Sequence, residues 1–460
     1  MIFFDNKTIH FVGIGGIGMS AIAEALFQMG YKVQGSDAKK SANVIRLQEE
    51  GIPVFIGHKP EHIDGADVVI VSTATPKNNP EVQEALKKGL KVGHRAEMLA
   101  ELMRYKKGIA ISGTHGKTTT TALITSILSQ GGLEPSSIIG GIVNHLKTNS
   151  MQGSSDWFIA EADESDGSFL KLPKMVSVVT NIDPEHMNFY KSFERMKLAY
   201  KFFLDSTSFF GFCVVCTDHP VVEQMVNRII DREVITYGFN DKALVRAVNE
   251  RTQNGIQIFD IIAFGKEIKD VQLPLLGRHN IQNALASVAV GLKLGINVED
   301  IKKALASFEG VERRFSKRGM SHGIHIYDDY GHHPVEIKAV LKAARSAVGN
   351  NKLLAVFEPH RYTRANDLAD EFALAFQDAD TVFVADIFSA GEEPVPSISK
   401  EILAEKIKAS GHRNVFVLPS WEALPEMVLK HTQVGDFVVG LGAGDVSKYM
   451  KNLPNEMEEL

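Results

Sequence analysis

The stretch GTHGKTTTT, from Gly113 to Thr121, follows an apolar run at Gly108 to Ile111 and opens a sequence typical of a helix. A glycine loop between a strand and a helix is the setting of a phosphate-binding loop, because backbone amides and a helix N-terminus then point at one place. Lys117 adds a positive charge for the terminal phosphates, and the Thr118 hydroxyl can reach a magnesium ion. A longer loop of this kind would have a glycine at position 111, so the sequence predicts a shortened variant. The alternative, a plain turn with an incidental lysine, is less favoured.

The size and composition of the chain predict a globular protein of several domains. At 460 residues it is too long for one core, and about 150 residues per domain gives about three domains. Its apolar runs are far shorter than the ~20 residues of a membrane span, and a charge interrupts the start before a secretory leader could form. We therefore expect a cytoplasmic protein without membrane insertion. The formal net charge of -6 argues against broad nucleic-acid binding.

The two cysteines, Cys213 and Cys216, have the spacing of half a zinc site or of a redox pair. Their segment, GFCVVCTD, is more typical of a buried strand. Since residues three apart on a strand point to opposite faces, the sequence favours core packing over a shared site.

A repeated order of strand, glycine turn and helix predicts parallel sheets covered by helices. We expect an α/β protein of three domains, a Rossmann-like one at 1–107, a P-loop ATPase with a mainly parallel sheet at 108–310 and a second Rossmann-like one at 311–460. Asn254 and Gly255 predict a hairpin turn between two short strands. The other predicted strands are Thr8 to Val12, Tyr31 to Ser36, Asp67 to Ser72, Trp157 to Ala160, Met175 to Thr180, His325 to Tyr327, Leu353 to Phe357, Thr381 to Ala385, Asn414 to Leu418 and Asp436 to Leu441.

Acidic residues follow the predicted strand that ends at Ala160. Because the carboxyl ends of parallel strands meet at one edge of a sheet, Glu161 is expected beside the phosphate loop, where it would serve a metal ion. The sequence continues as ADESDGS, and we interpret its three carboxylates, Asp163, Glu164 and Asp166, as a solvated acidic loop. The next predicted strand brings His186 to the same edge, although a lone histidine is as often structural.

A second glycine turn, GIGGIG at Gly13 to Gly18, fits the dinucleotide fingerprint, with Asp37 about 20 residues beyond it. The turn binds diphosphates in general, so a UDP-linked sugar or a nicotinamide dinucleotide could occupy it. Since the chain already has an ATP loop, we favour the UDP-linked sugar. A tight turn for helix packing is the third possibility. The residues assigned to this ligand are Gly13, Gly15, Gly16, Gly18, Asp37 and Ser72.

Two loops of the C-terminal block, DDYGHHP and FEPHRYTR, combine histidines and arginines after predicted strands. Guanidinium groups pair well with carboxylates, so these loops could recognise a small carboxylate substrate. Plain surface charge is an equally good interpretation of the sequence alone. The candidate residues are His332, His360, Arg361 and Arg364.

Taken together, the motifs resemble those of the Mur ligases over nearly the whole chain. The resemblance is carried by GIGGIGMS, SGTHGKTTTT, EADESDGSFL, VVTNIDPEHMNFY, LLGRHNIQNALA, GVERRF, DDYGHHP and FEPHRYTR. It is strongest for the branch that joins L-alanine to UDP-N-acetylmuramate through an acyl phosphate. The resemblance implies an ATP-dependent ligase of peptidoglycan precursor synthesis that uses Mg²⁺, and we expect a monomer or weak homodimer. A ligase that adds a recycled murein peptide to the same sugar is the alternative.

The resemblance also implies roles for individual residues. Lys117, Glu161 and His186 would be catalytic, and Thr118, Glu161 and His186 would surround the magnesium ion. The four histidines and arginines of the C-terminal loops would receive the amino acid. Related ligases carry a carbamylated lysine, for which Lys201 is the nearest candidate. The residues implied for ATP binding are Gly113, Thr114, His115, Gly116, Lys117, Thr118, Thr119, Asn280, Asn283, Arg314 and Asp329.

Overall fold

The computed structural model describes residues 7–229, 231–253 and 255–460, and it contains three β-sheets that follow one another along the chain. The strand pairs at the centre of each sheet are parallel, as the alternation of strands and helices predicts. The expected α/β class is therefore confirmed. No helix in the described part of the chain is long and apolar enough to cross a membrane.

The first sheet has five parallel strands in the order β3-β2-β1-β4-β5. Its strands are β1 (Thr8–Val12), β2 (Lys32–Asp37), β3 (Val54–Ile56), β4 (Val68–Val71) and β5 (Lys91–His94). The helices of this part are α1 (Ile17–Gln28), α2 (Ala42–Glu49), α3 (Pro80–Lys87) and α4 (Arg95–Met103). The strand order reverses at β1, between β2 and β4, and open sheets of this kind bind ligands at such a reversal.

The second sheet has ten strands in the order β15-β14-β13-β12-β11-β10-β6-β9-β7-β8. They are β6 (Lys107–Ser112), β7 (Ser136–Val143), β8 (Thr148–Met151), β9 (Trp157–Glu161), β10 (Val176–Val179), β11 (Phe212–Cys216), β12 (Glu233–Gly238), β13 (Val245–Gln253), β14 (Ile256–Ala263) and β15 (Lys266–Leu273). The helices are α5 (Lys117–Gln130), α6 (Met187–Tyr190), α7 (Phe193–Asp205), α8 (Pro220–Val226), α9 (Arg278–Lys293) and α10 (Val298–Ala306). The turn predicted at Asn254 involves a residue outside the described ones.

The third sheet has six strands in the order β16-β17-β21-β18-β19-β20, of which only the β16 and β17 pair is antiparallel among the pairs described. The strands are β16 (Ser316–Ser321), β17 (Ile324–Asp329), β18 (Leu353–Phe357), β19 (Thr381–Val384), β20 (Val415–Val417) and β21 (Phe437–Leu441). The helices are α11 (Pro334–Val348), α12 (Tyr362–Asp367), α13 (Ala369–Ala373), α14 (Lys400–Ala409), α15 (Leu424–His431) and α16 (Val446–Glu458).

The chain divides into two compact units. One consists of residues 1–251, 258–273 and 282–309 and holds the first sheet with most of the second, and the other consists of 252–257, 274–281 and 310–460. The predicted domain limits at 107 and 310 remain predictions. Cys213 and Cys216 are both buried in β11, as their apolar segment predicts.

Candidate functional site

The phosphate loop follows the strand at the centre of the second sheet. β6 lies between β9 and β10 and runs parallel to both, with Ile111 opposite Glu161 and Ser112 opposite Val179. The carboxyl ends of these strands therefore meet at one edge, where the loop, Glu161 and the segment leading to His186 all begin. This placement is the one that the sequence predicts.

The backbone of the loop requires glycine at two positions. Gly113 has φ of +139°, and a Cβ there would lie 2.0 Å from the Thr180 hydroxyl oxygen, so any side chain would clash. Gly116 has φ of +86° and forms the N-cap of α5, and a Cβ there would lie 2.6 Å from the amide oxygen of Asn283. Both glycines let neighbouring polar groups approach the loop closely.

The segment after β10 holds the outer side of the loop. The amide of His115 donates to the Asn181 side chain at 2.8 Å, and the Thr180 hydroxyl donates to the carbonyl of His115 at 2.6 Å. The amide of Asp183 donates to the Thr114 hydroxyl at 2.9 Å. The loop is thus fixed by hydrogen bonds before any ligand is considered, which lowers the cost of ordering its amides around phosphates.

Lys117 lies on the inner side of the loop. Its ammonium donates to the carbonyls of Gly113 and Thr114, at 2.5 and 3.2 Å, and to the Glu164 carboxylate at 2.9 Å. Burial acts to lower the pKa of this group, but Glu164, Asp163 and other carboxylates nearby raise it above its ordinary value. Lys117 is therefore a fixed positive charge at the point where the terminal phosphates of a nucleotide are expected.

The interpretation of ADESDGS as a solvated loop is wrong for Glu164, whose side chain is only 1% exposed. It pairs with Lys117 and lies 3.6 Å from the imidazole Nε2 of His186. Asp163 pairs with Arg95, and Asp166 accepts a hydrogen bond from Thr73 at 2.8 Å. Nothing in the spacing of DESD indicates which of the carboxylates turns inward, so sequence reasoning missed the role of Glu164.

The predicted metal ligands lie near Lys117 and Glu164, and we call this region, with the phosphate loop, the pocket. Thr118 is buried in the first turn of α5, and the Glu161 carboxylate accepts a hydrogen bond from the amide of Gly140 on β7 at 2.8 Å. Glu164, Glu185 and His186 offer ligand atoms that all lie within 4.8 Å of one another. Burial acts to lower the pKa of His186, but the neighbouring carboxylates raise it overall. The pocket thus combines several acidic groups with the fixed charge of Lys117.

Asn280 and Asn283, the predicted adenine neighbours, both belong to α9. Asn283 accepts a hydrogen bond from Thr120 at 3.2 Å and lies against Gly116 of the loop. Asn280 is buried and donates to the carbonyl of Leu276 at 2.7 Å. The structure therefore places Asn283 next to the phosphate loop.

The glycine turn of the first sheet follows β1 at the reversal of strand order. The amide of Gly15 donates to the Asp37 carboxylate at 2.9 Å, and Ser72 follows β4 on the other side of β1. A Cβ at Gly15 would lie 2.9 Å or less from atoms of Val44, Ser41 and Asp37, so glycine is needed there for packing. The predicted residues Gly13, Gly15, Gly16, Gly18, Asp37 and Ser72 thus share one end of this sheet.

In the C-terminal unit, Asp329 ends β17 and is buried. Its carboxylate accepts hydrogen bonds from the amides of Gly331 and Phe315, at 2.6 and 2.7 Å. Burial raises the pKa of Asp329 to about 6, and the opposing charge of Arg314 does not cancel this effect. The guanidinium of Arg314 lies over the Tyr330 ring, 5.2 Å from its centroid.

The four residues predicted to receive the amino acid come together in the same unit. The rings of His332 and His360 lie 5.7 Å apart, and Arg364 lies 3.3 Å from the Nδ1 of His360. The pKa of His360 is lowered to about 3, first by burial and then by the charges of His332, Arg364, Arg361 and Arg313. The charges that lower this pKa are positive, which suits an anion, and two carboxylates also lie in the cluster, Glu336 at 3.7 Å from His332 and Glu392 at 3.9 Å from Arg361.

Arg313 is a member of this cluster that sequence reasoning missed. It donates to the carbonyls of Gly442 and Gly444, at 2.8 and 3.2 Å. GVERRF contains two adjacent arginines, Arg313 and Arg314. The sequence offers no signal that shows which of the two side chains points into the cluster. Lys201, the candidate for carbamylation, pairs with Asp205 on α7 at 2.5 Å.

Models of three protein domains match the chain in order. The Mur ligase family catalytic domain matches residues 8–107, the Mur ligase middle domain matches 111–291, and the Mur ligase glutamate ligase domain matches 313–444. These matches cover most of the chain, which belongs to the Mur ligase family.

Individual relatives cover the same length. The chain is 52% identical over 458 residues to the UDP-N-acetylmuramate--L-alanine ligase of Brucella ovis. The alignment covers 98% of this chain and 97% of that protein. The crystal structure of UDP-N-acetylmuramate-alanine ligase from Thermotoga maritima has a TM-score of 0.85 at 27% identity and covers 99% of this chain and 100% of that one. A murein peptide ligase of Psychrobacter arcticus has a TM-score of 0.74 over 99% of both chains, and at 21% identity it shows only the fold.

Proposed function

We propose that this protein joins L-alanine to the carboxylate of UDP-N-acetylmuramate with hydrolysis of ATP to ADP and phosphate. The observation that carries this proposal is the 52% identity, over 98% of the chain, to a ligase of that reaction. Two features of the structure support it, a phosphate loop with an inward lysine and a separate cluster of histidines and arginines. The product is a precursor of peptidoglycan, and the use of ATP and a UDP-linked sugar agrees with the cytoplasmic location expected from the sequence.

The reaction needs activation of a carboxylate, because its oxygen is too basic to leave when an amine attacks. In the first step a carboxylate oxygen of the sugar bonds to the γ-phosphorus of ATP, and the bond from that phosphorus to ADP breaks. In the second step the amine of L-alanine attacks the acyl carbon, phosphate leaves, and the amine loses a proton. Catalysis is then mainly positioning and neutralisation of charge.

The residues of the phosphate loop carry the first step. The amides from Gly113 to Thr119 and the N-terminus of α5 would bind the phosphates, and Lys117 would offset the charge that develops on them. Phosphates would compete with the loop carbonyls and with the Glu164 carboxylate for the Lys117 ammonium. Asn283 lies beside the loop, where it would contact the adenine. The resemblance to the family also implies nucleotide contacts for Asn280, Arg314 and Asp329.

The donor set of the pocket fits a hard divalent cation such as Mg²⁺, because it is composed of carboxylates, a hydroxyl and one imidazole. Thr118, Glu161 and His186 would hold the cation, with Glu164 and Glu185 beside them. When bound, it would supply charge neutralisation for the phosphate oxygens. His186 and Glu161 would also be the catalytic residues of the pocket together with Lys117.

The two remaining substrates have sites of their own. The glycine turn at Gly13 to Gly18 would bind the diphosphate of the UDP-linked sugar, with Asp37 and Ser72 around the nucleoside. His332, His360, Arg361 and Arg364 would bind the carboxylate of L-alanine, since the positive charges that act on His360 suit an anion. A monomer or weak homodimer remains the expected state of association.

The test is an ADP-release assay with UDP-N-acetylmuramate and a panel of acceptors. L-Alanine, L-serine, glycine and the tripeptide L-alanyl-γ-D-glutamyl-meso-diaminopimelate are compared at equal concentration. We expect L-alanine to give the highest kcat/KM and the tripeptide to give none above background. Activity with the tripeptide alone would identify a murein peptide ligase instead, and no ADP release with any acceptor would contradict the proposal.

A further inference from the structure

Arg95 connects the glycine turn of the first sheet with the acidic loop beside the phosphate loop. It is the first residue of α4, and its Nη2 donates to the Asp163 carboxylate at 2.5 Å. Its other terminal nitrogen, Nη1, lies 3.0 Å from the place where a Cβ would stand on Gly18. The two ends of one guanidinium thus reach the first turn of α1 and the acidic loop.

Gly18 also lies close to the Arg95 side chain. The third glycine of a dinucleotide fingerprint ordinarily permits close packing of helix and strand. Here a Cβ at position 18 would require the Arg95 guanidinium, the far end of a long side chain, to shift by a few tenths of an ångström. The sequence motif and the ion pair are therefore parts of one arrangement.

The charge of Asp163 interacts with that of Lys117 in the phosphate loop. Burial acts to raise its pKa, but Arg95 and then Lys117 lower it to about 2, so its carboxylate stays charged between the two cations. The next residue, Glu164, makes the direct contact with Lys117 at 2.9 Å. A shift of Asp163 would therefore be passed to the loop through the backbone of two adjacent residues.

Other contacts also fix the acidic loop against the first sheet and α4. Thr73 donates to Asp166 at 2.8 Å and lies 3.2 Å from the Nε2 of His94. Met98 of α4 and Phe169, which follows the acidic loop, are buried in one hydrophobic cluster. Packed apolar side chains transmit small displacements rather than absorb them. The acidic loop thus has a fixed position relative to the glycine turn.

We propose that Arg95 and Asp163 are positioning residues whose ion pair couples binding of the UDP-linked sugar at Gly13 to Gly18 with the arrangement of the phosphate loop. An anionic diphosphate at the first turn of α1 would attract the Arg95 guanidinium, which is bonded to Asp163. The pair would then hold Glu164 and Lys117 in the geometry that places the γ-phosphate against the sugar carboxylate. This inference rests on the proposed function for the identity of the two ligands.

The experiment measures coupling between two ligands in the full-length protein. The Kd of a non-hydrolysable ATP analogue with Mg²⁺ is determined by calorimetry with and without saturating UDP-N-acetylmuramate. We expect the sugar to change this Kd at least about fivefold in the wild type, and the ratio to fall to about one in Arg95→Ala and in Asp163→Asn. The Kd of the analogue alone should change by less than about threefold in Arg95→Ala, because that residue is not assigned to the nucleotide.

Steady-state kinetics supply the second measurement. Each single variant should lower kcat about tenfold or more, since small displacements of reacting groups are costly. The double variant Arg95→Ala with Asp163→Asn should be no slower than the slower single variant, because the two residues act as one unit. Arg104→Ala, which removes an exposed ion pair with Glu101 from the same helix, is the matched control and should retain wild-type coupling and kcat.

The outcomes separate this inference from the proposed function. An unchanged coupling ratio in Arg95→Ala, or multiplicative losses of kcat in the double variant, would overturn it. Normal coupling in the wild type without ADP release to L-alanine would contradict the proposed acceptor but support the positioning pair. If UDP-N-acetylmuramate does not bind the wild type at all, both proposals are wrong.

Discussion

The phosphate-loop pocket and the C-terminal cluster of histidines and arginines handle charge in opposite ways. In the pocket, the Lys117 ammonium is paired with the buried Glu164, and Glu185 lies close by. In the cluster, burial and then the positive neighbours of His360 lower its pKa to about 3. In the pocket a lysine contacts a buried carboxylate directly, whereas in the cluster the charges that act on His360 are positive and the carboxylates Glu336 and Glu392 lie 3.7 and 3.9 Å from His332 and Arg361.

The difference indicates what each region binds. A nucleotide that arrives with Mg²⁺ brings both signs of charge, so its pocket needs carboxylates for the cation and a lysine for the phosphates. A free amino acid must be held by its carboxylate, and the positive charges that act on His360 suit that anion. The amine of the amino acid must lose its proton to attack, which a positive surrounding also favours.

Removal of the Lys117 ammonium from the pocket should have the largest effect on activity. Lys117→Ala is expected to lower ADP release about 1000-fold or more, because one fixed positive charge at the developing phosphate charge is lost. Binding of UDP-N-acetylmuramate, measured by calorimetry, should stay within about threefold of the wild type, since that ligand is assigned to the first sheet. Lys87→Ala, a change of an exposed lysine on α3, is the control. Full ligase activity in Lys117→Ala would contradict the assignment.

A change in the C-terminal cluster should affect the KM for L-alanine rather than that for ATP. Arg364→Ala is expected to raise KM for L-alanine about 10- to 100-fold, the usual loss for a hydrogen bond to a charged group, with KM for ATP nearly unchanged. Steady-state kinetics with each substrate varied in turn measure both constants. Arg413→Ala changes an exposed arginine of the same unit and should have no effect. A rise confined to the KM for ATP would place Arg364 with the nucleotide instead.

The central strands of all three sheets could be predicted from the sequence because they are apolar runs, and β1, β6 and β21 also lead directly into glycine loops. β1 and β18 have the predicted limits, and β6, β9 and β10 differ by one or two residues. The sequence does not predict β3, β5, β7, β8, β12, β15 and β16. β7 and β16 carry glycine or polar residues, and their strand character comes from pairing with a neighbour rather than from local propensity.

The candidate site could be predicted where a strand end fixes the position of a residue. Glu161 ends β9 and the segment before His186 follows β10. Both strands lie beside β6, so topology alone places these residues at the same edge. Glu164 and Arg313 lie in irregular segments. Arg313 has φ of +59°, and the direction of its side chain follows from this local backbone conformation. No hydrophobic period or spacing rule indicates such a conformation.

The ion pair of Lys117 and Glu164 in the pocket can be tested by removing the charge of Glu164. Glu164→Gln keeps the size of the side chain but leaves the Lys117 ammonium without its carboxylate, at a cost to stability of about 2 kcal/mol, less than for a fully buried pair because Lys117 is 18% exposed. Thermal unfolding should show a lower Tm. A nucleotide would replace the lost partner, so an ATP analogue should raise the Tm of Glu164→Gln more than that of the wild type. An equal rise in both proteins would show that Glu164 does not compete with phosphates for Lys117.

The smallest expected effect concerns the protonation of His360 in the cluster. Its pKa in the folded protein, about 3, lies below the ordinary value of 6.5, so the unfolded chain binds this proton first as the pH falls. His360 therefore reduces stability progressively from about pH 6.5 down to about pH 3. Arg364→Gln removes one of the charges that lower this pKa, so the pKa should rise and the loss of stability should become smaller.

Histidine-selective NMR can follow this titration directly, with Arg413→Gln as a control that leaves the cluster intact. The wild-type His360 should remain neutral at pH 5, and the ring signal of Arg364→Gln should begin to shift at a higher pH than that of the wild type. Titration of the wild-type residue near 6.5 would mean that negative charge balances the cluster. The contrast with the pocket would then be lost, and with it the argument that the cluster is suited to a free carboxylate.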